Sequence, residues 1–282
     1  MDQLLKKVTT VALIGLAIGV LGSVAAFLTE GFPAMHSLER QLLVEANQDA
    51  AVIQRMEVIS DAADIAILPG ATDRIEVKLF GDEKRKEQYQ LAAEAADGVY
   101  RVTAKTLQDT LKIGFSPGVK MEIRLPEKTF EEVKIDSKAG DITLKEVKAR
   151  QAAVSSLAGD IDINGFSGDA LDVVQKAGDL SAQKIAAGLS VKNNAGDVAI
   201  VMDEITKDIQ VESSAGDIVL SSVNALSSAQ VHLKTFVGDA AANASGMLFQ
   251  KVSDNEVTGA IGTGGPVVSL QTKMGDVHFS AK

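Results

Sequence analysis

The feature that most constrains this chain is a Gly-Asp pair that recurs seven times in one frame of apolar residues. The glycines follow one another at intervals of 19, 19, 18, 20, 22 and 37 residues, the last close to two periods. A short unit repeated at a fixed period is typical of a protein whose units pack on their neighbours. The predicted structural turns are Gly140, Asp141, Gly159, Asp160, Gly178, Asp179, Gly196, Asp197, Gly216, Asp217, Gly238, Asp239, Gly275 and Asp276.

Apolar residues alternate on both sides of each pair. The positions seven and five residues before the glycine, and two and four residues after it, are apolar in all seven units; around Gly178 they are Leu171, Val173, Leu180 and Ala182. Period two indicates β-strands with alternate side chains facing one interior. The parity changes across the pair, which predicts a corner there. Glycine tolerates the positive φ of such a corner, and we expect the Asp side chain to accept hydrogen bonds from backbone N–H groups just beyond it.

The third residue before each glycine also faces inward in this pattern, yet it is always an uncharged hydrogen-bonding residue. A buried hydroxyl or amide is tolerable when the same position in the units above and below supplies its partner, about 4.8 Å away. The pattern therefore predicts a buried polar ladder and units stacked in register. The seven residues are Ser137, Ser156, Gln175, Asn193, Ser213, Thr235 and Thr272.

The repeat predicts an all-β fold, a single-stranded β-solenoid (β-helix) of about 19-residue coils. In this interpretation the long interval after Gly238 is a degenerate coil with a loop near the end cap. Strand-like segments from residue 51 onward, including a hairpin around Ala96, Asp97 and Gly98, are expected to form the opening, less regular coils.

The N-terminus predicts one transmembrane helix before the solenoid. Residues 9–28 form an uncharged run long enough to cross a bilayer, and Lys6 and Lys7 precede it. The positive-inside rule then gives a cytoplasmic segment 1–8, an anchor 9–29 and a single-pass membrane protein whose C-terminal domain is extracytoplasmic. The alternative is a cleaved signal peptide. Residues 30–50 form a predicted stalk with helical spacing of Leu38, Leu42 and Val44, and residues 51–282 form the repeat domain.

Three sets of residues carry a family resemblance: the stretch ADIAILPGATDRIEVKLFG at 63–81, the stretch VKMEIRLPE at 119–127, and the repeated AGDI or AGDV corners. With the apolar N-terminal segment, they resemble the bacterial "putative adhesin" domain family, which includes LiaG-like proteins of cell-envelope-stress operons. The resemblance extends from about residue 51 to the end. It implies a β-repeat architecture and a cell-envelope setting, and it brings no catalytic residue.

Composition limits the chemistry that this chain can perform. A net charge of −10 disfavours a nucleic-acid partner, and without cysteine there is no disulfide framework. The stacked aspartates suggest a calcium site, but calcium prefers six to eight oxygens, and the nine-residue glycine-rich repeat of calcium-binding solenoids is absent from the sequence. We therefore expect no metal and no cofactor, and the aspartates are interpreted as caps of their own corners.

The predicted function is that of a non-catalytic repeat protein, a putative adhesin or an envelope-stress accessory that presents a binding surface to an envelope protein or a cell-wall polymer. One alternative is a β-helix polysaccharide lyase or hydrolase, although the chain has no Trp and only two Tyr for stacking on sugars. A purely structural spacer is the other alternative. The outward residues expected to form the surface are Lys138, Lys176, Lys192, Glu212, Lys234 and Lys273.

Overall fold

The computed structural model describes residues 40–107 and 118–282, and these residues are almost entirely β-strand. The one helix among them is a 3-10 helix at Glu83–Gln88. The strands are β1 (Gln41–Asp49), β2 (Arg55–Ser60), β3 (Asp64–Pro69), β4 (Arg74–Gly81), β5 (Tyr89–Ala96), β6 (Val99–Thr106), β7 (Lys120–Leu125), β8 (Phe130–Ser137), β9 (Ile142–Ser156), β10 (Ile161–Gln175), β11 (Leu180–Ala195), β12 (Val198–Met202), β13 (Ile209–Ala215), β14 (Ile218–Ser222), β15 (Ala229–Val237), β16 (Ala240–Ala244), β17 (Met247–Ser253), β18 (Glu256–Ile261), β19 (Val267–Met274) and β20 (Val277–Ala281).

Successive repeats stack in parallel and in register. β10 pairs with both β9 and β11, so that Val173 lies between Val154 and Val191, three residues at the same position of the repeat. Each of these side chains is at most 2% exposed, because the apolar positions form columns that close one interior. The all-β repeat architecture predicted from the sequence is therefore observed, as a β-solenoid-like stack.

Each unit contributes one strand before its corner and one after it. The strands before the corners form what we call the pre-corner row, in the spatial order β5-β6-β2-β8-β9-β10-β11-β13-β19-β15-β18-β17, with β9 to β11 contributing their second halves. The strands after the corners form the post-corner row, in the order β1-β4-β7-β3-β9-β10-β11-β12-β14-β20-β16.

The spatial order departs from chain order at both ends. The unit of β19 and β20, the last in the sequence, lies between the unit of β13 and β14 and the unit of β15 and β16. At the other end, the unit of β2 and β3 lies between β6 and β7 on one side and β8 and β9 on the other. Outer strands that run antiparallel then cover these ends. The predicted hairpin around Asp97 is confirmed as the antiparallel pair of β5 and β6.

The segment after Gly238 corrects one prediction. It is not a degenerate coil, because β17 and β18 form an antiparallel hairpin and β18 pairs antiparallel with β15. The chain then returns through β19 into the gap between β13 and β15. The interval of 37 residues therefore holds a hairpin followed by a full unit.

The buried polar position behaves differently from the predicted ladder. All seven residues are at most 6% exposed, but where they form hydrogen bonds they bind the backbone of a glycine corner and not one another. The amide Nε2 of Gln175 donates to the carbonyl of Gly159 at 2.8 Å, and the hydroxyl of Thr235 donates to the carbonyl of Gly275 at 2.8 Å. Gln175, Thr235 and Thr272 thus bind the corner of a neighbouring unit, whereas Asn193 binds the carbonyl of its own corner glycine.

The predicted helical stalk is wrong for its second half. Residues 41–49 form β1, which pairs antiparallel with β4 over its whole length. Leu43 is 7% exposed and lies against the core, whereas Leu42 points outward at 49% exposure. The helical spacing of apolar residues was overridden by pairing with an available strand edge. Leu38 lies outside the described residues.

The predicted localisation is also corrected. The part of the chain that the structure describes contains no helix both long and apolar enough to cross a bilayer. The single-pass membrane localisation, with its extracytoplasmic C-terminal domain, therefore has no span to support it. The segments on which it depended, 1–8 and 9–29, lie outside the described residues.

Candidate functional site

The corner glycines form a continuous column along the stack. In all seven of them φ is positive, from 101° at Gly140 to 136° at Gly238. A Cβ on Gly196 would overlap the carbonyl oxygen of Gly178, the corner glycine of the preceding unit. The same collision recurs between the other neighbouring glycines. Each corner therefore requires glycine for two reasons: the positive φ of its backbone and the close approach of the neighbouring unit.

The aspartates that follow these glycines form a hydrogen-bonded column, the Asp ladder, which consists of Asp141, Asp160, Asp179, Asp197, Asp217, Asp276 and Asp239 in spatial order, preceded by Asp64. The Oδ1 atom of each except Asp239, the last, accepts the backbone N–H of the aspartate in the next unit. The distance is 2.8 Å for Asp197 onto Asp179 and 2.9 Å for Asp160 onto Asp141. Each carboxylate thus caps its neighbour's corner, which corrects the expectation that it caps its own.

Asp64 is a member of the ladder that the glycine pattern did not reveal. Its Oδ1 accepts the N–H of Asp141 at 3.3 Å, and its Oδ2 accepts from Arg40 at 2.8 Å. In its unit Ala63 occupies the place of the glycine, so the Gly-Asp pattern does not include Asp64. The spacing of Ser60, Asp64, Ile65 and later apolar residues nevertheless matches the other units.

An acidic groove follows the Asp ladder along the post-corner row. It has a volume of about 410 Å³ and is lined by the ladder from Asp141 to Asp197 together with Asp162. The four ladder carboxylates that line this groove are equivalent, since each accepts one backbone N–H, whereas glycoside hydrolysis needs two carboxylates in different roles. Among residues 40–107 and 118–282, no group of three or more His, Cys, Asp and Glu side chains could hold a metal ion. The groove carboxylates accept hydrogen bonds from the backbone and give the groove its negative charge.

A second groove, which we call the polar groove, lies on the pre-corner row. It has a volume of about 290 Å³ and is lined by outward side chains of three neighbouring units: Lys192, Asn194, Glu212, Ser214, Gln271 and Lys273. Lys192 pairs with Glu212, and Glu212 with Gln271, so equivalent positions stand side by side across three strands. The repeat thus builds one surface from several units.

The remaining outward lysines predicted from the sequence lie outside the polar groove. Lys138 donates to Asp61 at 2.8 Å, and this hydrogen bond raises the pKa of the ammonium group. Lys234 lies 5.2 Å from the ring of Phe236, a cation–π contact. Lys176 is exposed. The structure therefore gathers Lys192, Glu212 and Lys273 and leaves these three apart.

The fold and its corners define a class: all-β repeat proteins whose units stack on columns of glycine. Within that class, this chain belongs to the Toastrack DUF4097 family, whose model matches residues 53–280. The match confirms the resemblance to the "putative adhesin" family. No curated protein matches the chain.

Several solved structures are similar to this chain. A putative adhesin from Bacteroides fragilis NCTC 9343 is 12% identical, with 85% of this chain and 97% of that chain covered and a TM-score of 0.49. A putative cell adhesion protein from Clostridium sporogenes ATCC 15579 is 13% identical, with 86% and 100% covered and a TM-score of 0.36. A putative lipid binding protein from Parabacteroides distasonis ATCC 8503 is 11% identical, with 84% and 96% covered and a TM-score of 0.41.

Proposed function

We propose that this chain is a non-catalytic, adhesin-like scaffold that binds an anionic cell-wall polymer along the polar groove. The observation that carries the proposal is the alignment of outward side chains from three stacked units in one open groove. Lys192 and Lys273 offer ammonium groups to phosphate or carboxylate groups of a polymer, and Asn194, Ser214 and Gln271 offer uncharged hydrogen-bonding groups. Membership of the "putative adhesin" family supports a binding role.

The lysine arrangement is the feature that favours a polymer with repeating charges. Lys192 and Lys273 lie on β11 and β19, on either side of β13, and neighbouring strands are about 4.8 Å apart, so two weak contacts can act on one extended ligand. Exposed charge pairs contribute only about 0.2–1 kcal/mol each, and affinity must therefore come from their number. With a net charge of −10 on the chain, the two lysines provide the local attraction that an anionic polymer needs.

The test is co-sedimentation of the full chain with insoluble cell-wall material. We expect the double variant Lys192→Gln/Lys273→Gln to bind about three- to tenfold more weakly than the unsubstituted chain, from the loss of two exposed charge contacts. Lys176→Gln is the matched control, because Lys176 is an exposed lysine of the same row outside the groove, and it should bind like the unsubstituted chain.

The same samples separate the proposal from its alternatives. Equal binding by the double variant and the control would contradict the groove as the binding surface. Release of soluble glycan fragments during incubation would instead support the polysaccharide lyase or hydrolase. Absence of both binding and turnover would support a structural spacer.

A further inference from the structure

Exposed apolar side chains are concentrated at one end of the stack. Eight large hydrophobic residues of the described chain are more than half exposed, and six of them lie in the last units. Three of these six, Leu248, Phe249 and Val252, are on β17, at 73%, 51% and 67% exposure. Exposed apolar side chains concentrated in one part of a protein are typical of interaction sites. The six residues are Phe236, Val237, Leu248, Phe249, Val252 and Met274.

β17 is the outermost strand of the pre-corner row at this end. It pairs with β18 along one edge, and no described strand pairs with its other edge. Opposite Phe249 stands Gly259, and opposite Val252 stands Val257; both partners are buried. A bulge between Phe249 and Lys251 adds one residue to the alternation, so Phe249 and Val252 share the face that looks toward the core.

We propose that this end binds a second copy of the chain through antiparallel pairing of β17 with its counterpart, which gives a two-fold symmetric dimer. Antiparallel pairing within one sheet places side chains of the same face opposite each other. The register that satisfies this rule sets Phe249 opposite Val252 of the second copy. By symmetry the pair forms twice, and aromatic with β-branched is a favourable cross-strand combination. Four exposed apolar side chains would then cover one another.

Charge is compatible with this pairing. Lys251 is the only charged residue of β17, and its ammonium group is bound by Glu256 on β18. In the same register Lys251 stands opposite Gln250 of the second copy, and the two Lys251 residues are diagonal neighbours whose charges are each offset by Glu256. A chain with a net charge of −10 would otherwise resist self-association.

The opposite end of the stack explains why the assembly would stop at two copies. Its edge strands carry carboxylates, Glu45 and Asp49 on β1 and Glu94 on β5. Charged residues on an edge strand oppose pairing with another chain. One adhesive end gives a closed dimer, whereas two would give a filament.

The test uses the absence of cysteine from the chain. In the full chain, Gln250→Cys places a single thiol at the proposed two-fold axis, and Gln90→Cys places one on β5 at the other end. Under mild oxidation we expect Gln250→Cys to form a disulfide-linked dimer at least tenfold faster than Gln90→Cys. Adding Phe249→Lys and Val252→Lys should reduce that rate at least tenfold, since each new ammonium group would face an ammonium group of the second copy across the paired strands.

Sedimentation velocity of the cysteine-free full chain gives an independent readout. We expect the unsubstituted chain to sediment as a dimer and Phe249→Lys/Val252→Lys as a monomer. Val52→Lys, at a residue 68% exposed near the other end, should remain a dimer. Circular dichroism checks that each variant is folded. If Phe249→Lys/Val252→Lys does not fold, Leu248→Lys replaces it in the same measurement. A monomeric unsubstituted chain at 100 μM, or equal cross-linking of the two cysteine variants, would overturn the proposal.

Discussion

Gly196→Ala is expected to destabilise this protein by about 4 kcal/mol or more, one of the largest effects a single methyl group can have. The added Cβ would overlap the carbonyl oxygen of Gly178, and φ at this corner is 118°, where residues other than glycine are strained. Relief requires two stacked units to separate, which breaks their hydrogen bonds and opens the core columns. The free energy of unfolding, measured by urea denaturation, checks this prediction.

Gly264→Ala is the matched control for backbone strain without the collision. Its φ is 71°, and nothing lies within 4 Å of the added Cβ. We expect a loss of only about 1–2 kcal/mol, the usual penalty for a residue other than glycine at positive φ. Equal losses in the two variants would mean that the units do not approach as closely as described.

Asp197→Ala is expected to lower the free energy of unfolding by about 1–3 kcal/mol, the second largest effect. It removes the Oδ1 atom that accepts the N–H of Asp217 at 2.8 Å, and a backbone donor without a partner carries that penalty. Asp197→Asn should lose less, because its side-chain oxygen can still accept the bond. Thermal unfolding of both variants, with urea denaturation as a second measurement, gives the comparison.

Asp239 supplies the control within the same ladder. It is the last aspartate in spatial order: its own N–H is bound by Asp276, and no described N–H donates to its carboxylate. Asp239→Ala should therefore change stability by less than about 0.5 kcal/mol, as ordinary surface substitutions do. If Asp239→Ala and Asp197→Ala were equally destabilising, the ladder would not be the source of the effect.

The sequence predicted the features that recur in every unit. Glycine leaves an unambiguous signal where a corner needs both positive φ and close approach, and alternation around it defines the two strands. Asp64 was missed because Ala63 stands in the glycine position. A second set of bends was missed for a similar reason: Glu146, Gly165 and Lys184 adopt positive φ at intervals of 19 residues, but only one is glycine.

Contacts between units could not be predicted from one unit's pattern. An aspartate beside a glycine has local N–H groups within reach, and only the stacked backbone shows that the neighbour's N–H is better placed. The spatial order of the units at the ends differs from chain order. Because the units share one residue pattern, that pattern does not indicate which unit packs beside which. The structure of β1 could not be predicted for a related reason. Its apolar spacing predicted a helix, but the segment pairs as a strand with the edge of β4.

The polar groove could be predicted from the sequence only in part. The outward positions are exposed as predicted, but Lys192 and Lys273 are 81 residues apart in the sequence. They line the same groove because β19 inserts beside β13, in a place that chain order would have given to β15.

Disulfide trapping of the unit order tests the central claim most directly, because engineered thiols have no competitors in a chain without cysteine. In the structure His278 pairs with Val219 on one side and with Ala241 on the other. Directly paired residues lie within the Cα separation that a disulfide spans, and residues two strands apart do not. We predict that Val219→Cys/His278→Cys and Ala241→Cys/His278→Cys form intramolecular disulfides and that Val219→Cys/Ala241→Cys does not. A disulfide between positions 219 and 241, with none to 278, would show units stacked in chain order and would contradict the account.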